Sequence, residues 1–182
     1  MNRRLAVVPL IAIGVFGLAA CSQTTTGNPT AGSSPGSSAT GTGRPSTASV
    51  KPCDLLSSAE ASQLQLTPQG PINEGNARAC QWQKPVDING QNGFGVEIGI
   101  RDSQGLDSIN TSGYTMSQDN IGTHQGRQGA ATGGDACLVA IGVGTTSRVD
   151  LIITGGSDAA SSCQFANEIA KFVEPRLPAG GS

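Results

Sequence analysis

His124 is the only histidine of the chain and so the only imidazole available for acid–base catalysis. Serine and aspartate are plentiful, and a Ser-His-Asp arrangement needs no fixed spacing along the chain. The part of the chain that is predicted to fold nevertheless has no Gly-x-Ser-x-Gly elbow and no Ser-x-x-Lys motif. We therefore interpret His124 as a solvated residue of a polar loop and predict no catalytic residue.

Metal and phosphate sites also lack a sequence signal. The Gly-rich run at 126–134 has neither the lysine nor the strand–loop–helix context of a phosphate-binding loop, so we interpret it as a connector. The carboxylates Glu97, Asp102 and Asp107 have no spacing that singles out a pair, and a calcium loop would be denser in oxygen ligands. With one histidine and no Cys-x-x-Cys, zinc is not expected. We predict no metal and no cofactor.

Cys21 lies where a lipid-modified cysteine would lie. It ends a Leu-Ala-Ala-Cys tetrapeptide that follows two arginines and a short apolar stretch at 5–16, a pattern typical of a cleavable secretion signal. The tetrapeptide resembles the lipobox of bacterial lipoproteins, in which the cysteine thiol receives diacylglycerol before cleavage. We predict a lipoprotein signal peptide over 1–20 and a lipid on Cys21 at the extracytoplasmic face of the cell membrane. The alternative is an ordinary signal peptide with a chance cysteine.

The other four cysteines, Cys53, Cys80, Cys137 and Cys163, are expected to form two disulfides in the exported domain, for which three pairings exist. We favour Cys53 with Cys80 and Cys137 with Cys163, at sequence separations of 27 and 26 residues. The last two cysteines both fall on predicted inward faces, which supports this choice. The chain-entropy model gives about 3.5 kcal/mol of stabilisation for each loop of this size.

The charge and composition exclude nucleic acid as a partner. From residue 51 onward the chain has eight basic and thirteen acidic residues, a net charge of −5. A nucleic-acid surface needs basic residues and aromatic platforms, and few aromatic residues are present. Residues 22–49 are almost entirely Thr, Ser, Gly and Pro, so we predict a disordered tether over 21–50 with a reach of about 30 Å.

We predict a single domain at 51–178, followed by a disordered tail at 179–182. Helices are predicted near both ends of this domain. Ser57 and Glu60 match a capping box and predict a short helix just after them. An apolar stripe of helical period predicts a last helix that runs to about Glu174.

Between these helices, period-two alternation predicts strands at 79–84, 94–101, 137–143 and 149–153. A short helix is expected at 103–110 and a weakly patterned loop at 111–135. Trp82 shares a strand face with Cys80, so we expect it in the core rather than at a ligand-stacking site. Hairpins without a regular strand–helix–strand repeat predict an α+β domain. Its sheet is mainly antiparallel, with the N- and C-terminal helices packed on one face.

Three segments of the predicted domain form a pattern. They are Pro-Cys-Asp-Leu-Leu at 52–56, Cys-Gln-Trp at 80–82 and Ser-Cys-Gln-Phe-Ala at 162–166. In this order after a lipobox they resemble the motifs of an actinobacterial cell-envelope lipoprotein family, the domain of unknown function 3558. The resemblance covers about 52–178. It implies an actinobacterial envelope protein, and it implies no activity, ligand or catalytic residue.

Three functions fit these observations. The first is a non-catalytic module that binds an envelope protein or a small ligand through the open face of the sheet and the 111–135 loop. On that face, Gly95 and Gly99 of the predicted strand at 94–101 allow close approach to the backbone. The second is an accessory lipoprotein of a membrane complex, and the third is a cell-wall hydrolase with an unrecognised site. We predict a binding or accessory protein, not an enzyme.

Overall fold

The computed structural model describes residues 46–89 and 93–179. The predicted signal peptide and the lipidation site Cys21 lie outside these residues, as do most of the predicted tether and the last three residues of the chain. Within the described ranges, no helix is both long and apolar enough to cross a membrane.

Seven strands form one antiparallel sheet in the spatial order β1-β2-β3-β7-β6-β5-β4. They are β1 (Thr67–Glu74), β2 (Ala77–Lys84), β3 (Phe94–Arg101), β4 (Tyr114–Ile121), β5 (His124–Ala131), β6 (Cys137–Val143) and β7 (Ser147–Thr154). Two meanders, β1 to β3 and β4 to β7, are joined where β7 pairs with β3. Because β3 is followed along the chain by β4 at the far edge, the connecting segment at 102–113 crosses one face of the sheet.

The other face of the sheet packs against helix α2 (Ala159–Val173) and contains the main core. On β3, Val96, Ile98 and Ile100 are buried in this core, whereas Glu97 lies on the opposite face, so the predicted alternation is confirmed. Strand β6 is buried along its whole length, because the connecting segment covers its second face. This double burial explains the continuous apolar run in its sequence.

The C-terminal helix agrees with its prediction. The side chain of Asp158 accepts a hydrogen bond from the backbone N–H of Ser161 and so caps the first turn of α2. One stripe of the helix is buried, and it consists of Ser162, Cys163, Ala166, Ile169, Ala170 and Val173. The stripe recurs every three to four residues, which is the spacing that lets one helix face cover a sheet.

The N-terminal helix α1 (Ser58–Gln63) is a single short element. Its capping box is present as predicted, because the Ser57 side chain accepts from Glu60 N and the Glu60 side chain accepts from Ser57 N. Packing of this helix on the sheet beside α2 is not supported. Ala61 is the only fully buried residue of α1, and the larger buried side chains nearby lie outside the helix, at Leu55, Leu56 and Leu66.

Two disulfides join the chain as predicted. Cys53 is bonded to Cys80, which ties a short 3-10 turn at Pro52–Asp54 to β2, and Cys137 is bonded to Cys163, which ties β6 to α2. Trp82 is buried in the same core cluster as Cys80, so its predicted place in the core is confirmed.

The region at 111–135 corrects the sequence prediction. It forms strands β4 and β5, joined by a tight turn at Gly122 and Thr123, and the loop prediction is wrong. Gly122 has a φ of +60°, which a turn of this kind requires and glycine adopts without strain. The alternation was hidden because strands near a sheet edge need few apolar side chains. The helix predicted at 103–110 is only a 3-10 turn at Leu106–Ser108.

Strand β1 has no counterpart in the sequence prediction. Its Pro68, Gly70 and Pro71 are residues that usually interrupt strands, and they fit here because β1 is an edge strand, where proline removes no ladder hydrogen bond that the sheet needs. A register shift lies between Pro68 and Gly70, and Gly70 has a φ of +107°.

The last residues of the predicted tether pack against the folded unit. Thr47 is 1% exposed, and its hydroxyl donates to Asp102 at 2.7 Å. The Arg78 guanidinium pairs with Asp102 at 2.9 Å and also donates to the backbone carbonyls of Thr47 and Val50. The prediction of a disordered tether up to residue 50 is therefore wrong for residues 46–50.

Glu60 links α1 to the C-terminal end of the fold. Its carboxylate accepts from Arg176 at 2.7 Å and from the backbone N–H of Ser57 at 2.8 Å. The hydrogen bond from Arg176 is the largest cause that lowers the pKa of Glu60 from 4.5 to about 2. The resulting stabilisation is present above about pH 4.5, and it is lost as the pH falls towards about 2.

The variant Glu60→Gln keeps an oxygen acceptor for the capping box and removes the charge. We expect it to be less stable than the wild type at pH 7, with the difference in unfolding free energy shrinking towards pH 2 because the Glu60 carboxyl is progressively protonated and loses its charge. Urea denaturation at several pH values measures this. The control is Glu168→Gln, on an exposed position of α2, for which no such convergence is expected. Parallel stability–pH curves for Glu60→Gln and the wild type would contradict the prediction.

Candidate functional site

His124, the one candidate for acid–base chemistry, is buried. It is 3% exposed at the start of β5, so the prediction of a solvated loop residue is wrong. Its Nδ1 atom lies 2.7 Å from Glu174 Oε1, and its Nε2 atom lies 2.9 Å from the backbone oxygen of Pro178. The imidazole therefore joins the β4–β5 turn to the segment that follows α2.

The hydrogen-bond pattern does not suit a general base. A backbone carbonyl only accepts, so Nε2 is the donor to Pro178, and Nδ1 is in hydrogen-bond contact with Glu174. The backbone N–H of Thr123 and the side chain of His124 lower the pKa of Glu174, which favours the ionised form. The Thr123 hydroxyl donates to Glu174 at 3.0 Å and also lies 3.5 Å from His124 Nδ1. This hydroxyl–imidazole–carboxylate cluster thus holds two chain segments together, and both imidazole nitrogens are hydrogen-bonded within the fold.

We expect His124→Ala to lower the unfolding free energy by about 2 kcal/mol, because Glu174 and the Pro178 carbonyl lose their buried donor. The loss should be local at first, with faster hydrogen exchange at 121–124 and 174–178. Urea denaturation and exchange mass spectrometry measure the two effects. A stability equal to that of the wild type would show that the cluster is not structural.

On the face of the sheet opposite α2, a buried ion network fixes the connecting segment. Asp150 accepts from Arg148 at 2.7 Å and from Arg101 at 2.9 Å. The guanidinium of Arg148, itself 5% exposed, also donates to the backbone oxygens of Gln104 and Gly105 at 3.0 and 2.8 Å. The segment consequently lies over β6 and β5, where a second apolar cluster forms from Ile109, Leu138, Ala140, Leu106, Tyr114, Met116 and Ile152.

The rest of this face, over β1, β2, β3 and β7, is an open groove of about 240 Å³, called here the central groove. In the strand ladders, Gln81, Glu97 and Ile152 form one row across it. Gln83, Gly95 and Thr154 form the next row on the same face, two residues along each strand. Its walls are mainly amide, carboxyl and hydroxyl groups. The side chains and glycine that define it are Gln69, Gln81, Gln83, Gly95, Glu97, Ile152 and Thr154.

Glu97 is the charged residue of the central groove. Burial is the main cause that raises its pKa, and the neighbouring carboxyl of Glu74 raises it further. Gln81 Nε2 donates weakly to Glu97, at 3.4 Å. A half-buried carboxyl with a raised pKa in a groove is the kind of group that ligand sites use, because the protonated form can donate as well as accept.

Gly95 keeps the central groove open beside Thr154. A Cβ atom at Gly95 would lie 3.2 Å from the Thr154 hydroxyl oxygen, and a larger side chain would fill the row between Gln83 and Thr154. Gly99 lies on the same face of β3 but is buried, with Glu97 Oε1 3.5 Å and Ala77 Cβ 3.6 Å from its Cβ position, and it does not line the groove. Of the two glycines that the sequence places on the polar face of β3, Gly95 alone opens onto the groove.

The other two carboxylates considered from sequence serve ion pairs. Asp102 pairs with Arg78, and Asp107 pairs with Arg127, which also donates to the Leu106 carbonyl. Asp107 and Arg127 line a second, larger groove of about 540 Å³ at the β4–β5 turn end, together with Gln118, Asn120 and Gln125. In the described part of the chain, no group of three or more His, Cys, Asp or Glu side chains could hold a metal ion.

A family model described as "Protein of unknown function (DUF3558)" matches residues 16–176. The chain belongs to this family. No curated protein and no solved structure matches the chain. Membership of DUF3558 confirms the family that the motifs at 52–56, 80–82 and 162–166 suggest. The family description assigns no activity, so it favours neither binding nor catalysis in DUF3558.

Sequence reasoning on this DUF3558 chain missed two features of the site. Glu74 was not linked to Glu97 because β1 was not predicted, and the two carboxyls approach only when β1 and β2 pair. The role of His124 was missed because its partners, Glu174 and Pro178, lie about fifty residues away. The alternation of Gly95 and Gly99 with apolar residues on β3 was the one signal that did locate the central groove.

Proposed function

We propose that this protein is held by a lipid on Cys21 at the extracytoplasmic face of the cell membrane, and that its folded unit is a non-catalytic binding or accessory module. The observation that supports binding most strongly is the central groove with the half-buried Glu97. The anchor is supported by the position of Cys21 after a signal-like segment and by the cystine-stabilised domain, since disulfides are typical of exported proteins.

The groove favours a polar occupant that can approach the sheet closely. Its amide side chains both donate and accept hydrogen bonds, and Glu97 adds a carboxyl anchor. At Gly95, which is partly exposed, no side chain covers the strand, so a partner can contact the backbone there, whereas Gly99 is buried. A segment of an envelope protein or a small polar ligand matches these properties.

The alternative function, a cell-wall hydrolase, has less support. Its best candidate base is His124, and both ring nitrogens of this residue are hydrogen-bonded within the fold. A hydrolase that uses carboxylates alone would need two of them facing a substrate cleft, which the Glu74–Glu97 pair resembles. Asp107 and Asp119 both line the second groove, but Asp107 is held in an ion pair with Arg127. Loss of function in Glu97→Gln with normal abundance and unchanged partner capture would favour the hydrolase.

We expect Cys21→Ser to abolish membrane anchoring, because the substituted side chain has no thiol to receive the lipid. The full chain is expressed in an actinobacterial host and partitioned in detergent. The wild type should enter the detergent phase and Cys21→Ser should leave it. Equal partitioning of the two chains would refute the lipid anchor.

Two groove variants test the binding proposal. We expect Gly95→Val, which fills the groove beside Thr154, and Glu97→Ala, which removes the carboxyl, each to reduce the crosslinked partner from native envelopes at least tenfold. The matched control is Gln125→Ala in the second groove, which should capture the partner as the wild type does. Quantitative mass spectrometry of crosslinked material, normalised to the abundance of each variant, gives the comparison.

Complementation of a deletion strain then separates binding from turnover. Gly95→Val should fail to restore the wild-type phenotype, whereas His124→Ala, expressed to equal folded abundance, should restore it. Undiminished capture by both groove variants would sink the binding proposal, and failed rescue by abundant, folded His124→Ala would make His124 the place to look for chemistry.

A further inference from the structure

The two outer strands of the sheet, β1 and β4, differ in how they meet solvent. Edge strands expose unpaired backbone groups, and proteins usually block them with proline, bulges or charge. β1 is blocked in this way, because Pro68 and Pro71 have no N–H to offer and a register shift lies between Pro68 and Gly70. A further strand could not form a continuous ladder along it.

β4 has neither proline nor a bulge, and it has little charge. Tyr114–Ile121 contains no proline, glycine, lysine or arginine, and Asp119 is its only charged residue. It pairs with β5 in unbroken register from Tyr114 to Ile121, without a bulge. In the described part of the chain, β5 is its only strand neighbour. The outer side of β4 is therefore a regular, unprotected edge.

The ladder fixes which backbone groups face outward. Thr132 N donates to Gly113 O, which fixes the alternation of the antiparallel pair. The backbone N–H and C=O groups of Thr115 and Ser117 therefore point to β5, and those of the even-numbered residues of β4 point outward. Two of the outward N–H groups have local acceptors: Tyr114 N donates to Thr111 O, and Asn120 N lies 2.8 Å from Asp119 Oδ1.

The outward N–H groups that remain are those of Met116 and Gln118, placed symmetrically about Ser117. A second copy of β4, related to the first by a two-fold axis at Ser117, presents the same outward N–H and C=O groups at complementary positions. Met116 of one copy and Gln118 of the other then exchange both N–H···O=C bonds, which gives four bonds across the axis. The same register places Asp119 opposite Thr115, so no like charges face each other.

We propose that two copies of this chain associate through antiparallel pairing of their β4 strands, which joins two seven-stranded sheets into one. The apolar cluster beneath the connecting segment extends to this edge, because Met116 belongs to it. Pairing brings the two clusters side by side and adds side-chain contact to the backbone bonds. The central groove lies at the opposite half of each sheet and stays accessible in the pair.

A single cysteine on β4 tests the register. In the proposed dimer, Ser117 lies opposite Ser117 of the other copy in a non-hydrogen-bonded pair. The Cα atoms of such a pair lie about 4.5 Å apart, within the range that a disulfide spans. The full chain with Ser117→Cys, exported by the host and oxidised mildly, should give a covalent dimer through a disulfide between the two introduced thiols, with both native disulfides intact by peptide mapping. The control is Thr115→Cys on the same strand and face. Its two copies would be offset by about 14 Å along the strand, and it should stay monomeric.

A backbone variant tests the hydrogen bonds. In the Ser117→Cys chain, Gln118→Pro removes an outward N–H and leaves the ladder to β5 unbroken, and it should reduce the dimer at least tenfold. Gln118→Ala keeps the N–H and should leave the yield within about twofold of the parent. Thermal melting must show that both variants are folded. The proposal is overturned by no dimer with Ser117→Cys, by an equal yield with Thr115→Cys, or by a mixed disulfide of the introduced thiol with a different protein.

Discussion

The buried carboxylate of Asp150 determines the layout of the functional face. It accepts from two guanidinium groups, and one of them, on Arg148, also binds two carbonyls of the connecting segment. Breaking one partner of such a network leaves a buried charge uncompensated, which is strongly destabilising. The segment therefore has one position on the sheet, and this position divides the face into a covered half with an apolar cluster and an uncovered half with the central groove.

This division follows from the strand order. A plain seven-stranded meander would place β4 beside β3 and would need no crossing segment. Here β7 occupies that place, so the chain must travel across the sheet between β3 and β4. Strand β6 and the first part of β7 are thereby buried on both sides, which gives a domain with few aromatic residues a larger core than a one-sided sheet would allow.

How far the sequence predicted this fold depended on the strength of local patterning. On β3 the alternation is complete, and the strand bounds, the buried face and the glycines opposite it were all predicted. Around α1 a capping box located the helix start. In β1, β4 and β5 the local signal is weak, because strands at or next to a sheet edge tolerate proline, glycine and polar residues, so the pairing that makes them strands is a long-range property. His124 and Thr47 were assigned to solvent for the same reason: their partners are far away in sequence.

The disulfide between Cys53 and Cys80 has a mechanical consequence. Any tension that enters the folded unit from its N-terminal side reaches Cys53 and passes through a covalent bond directly into β2. The loop between the two cysteines, which contains α1 and β1, is bypassed by the force. Before that point, the guanidinium of Arg78 holds the carbonyls of Thr47 and Val50 and yields first. A pull on the leading chain would thus peel off a few residues and then meet the central sheet, with the short helix and the proline-bearing strand left under no load.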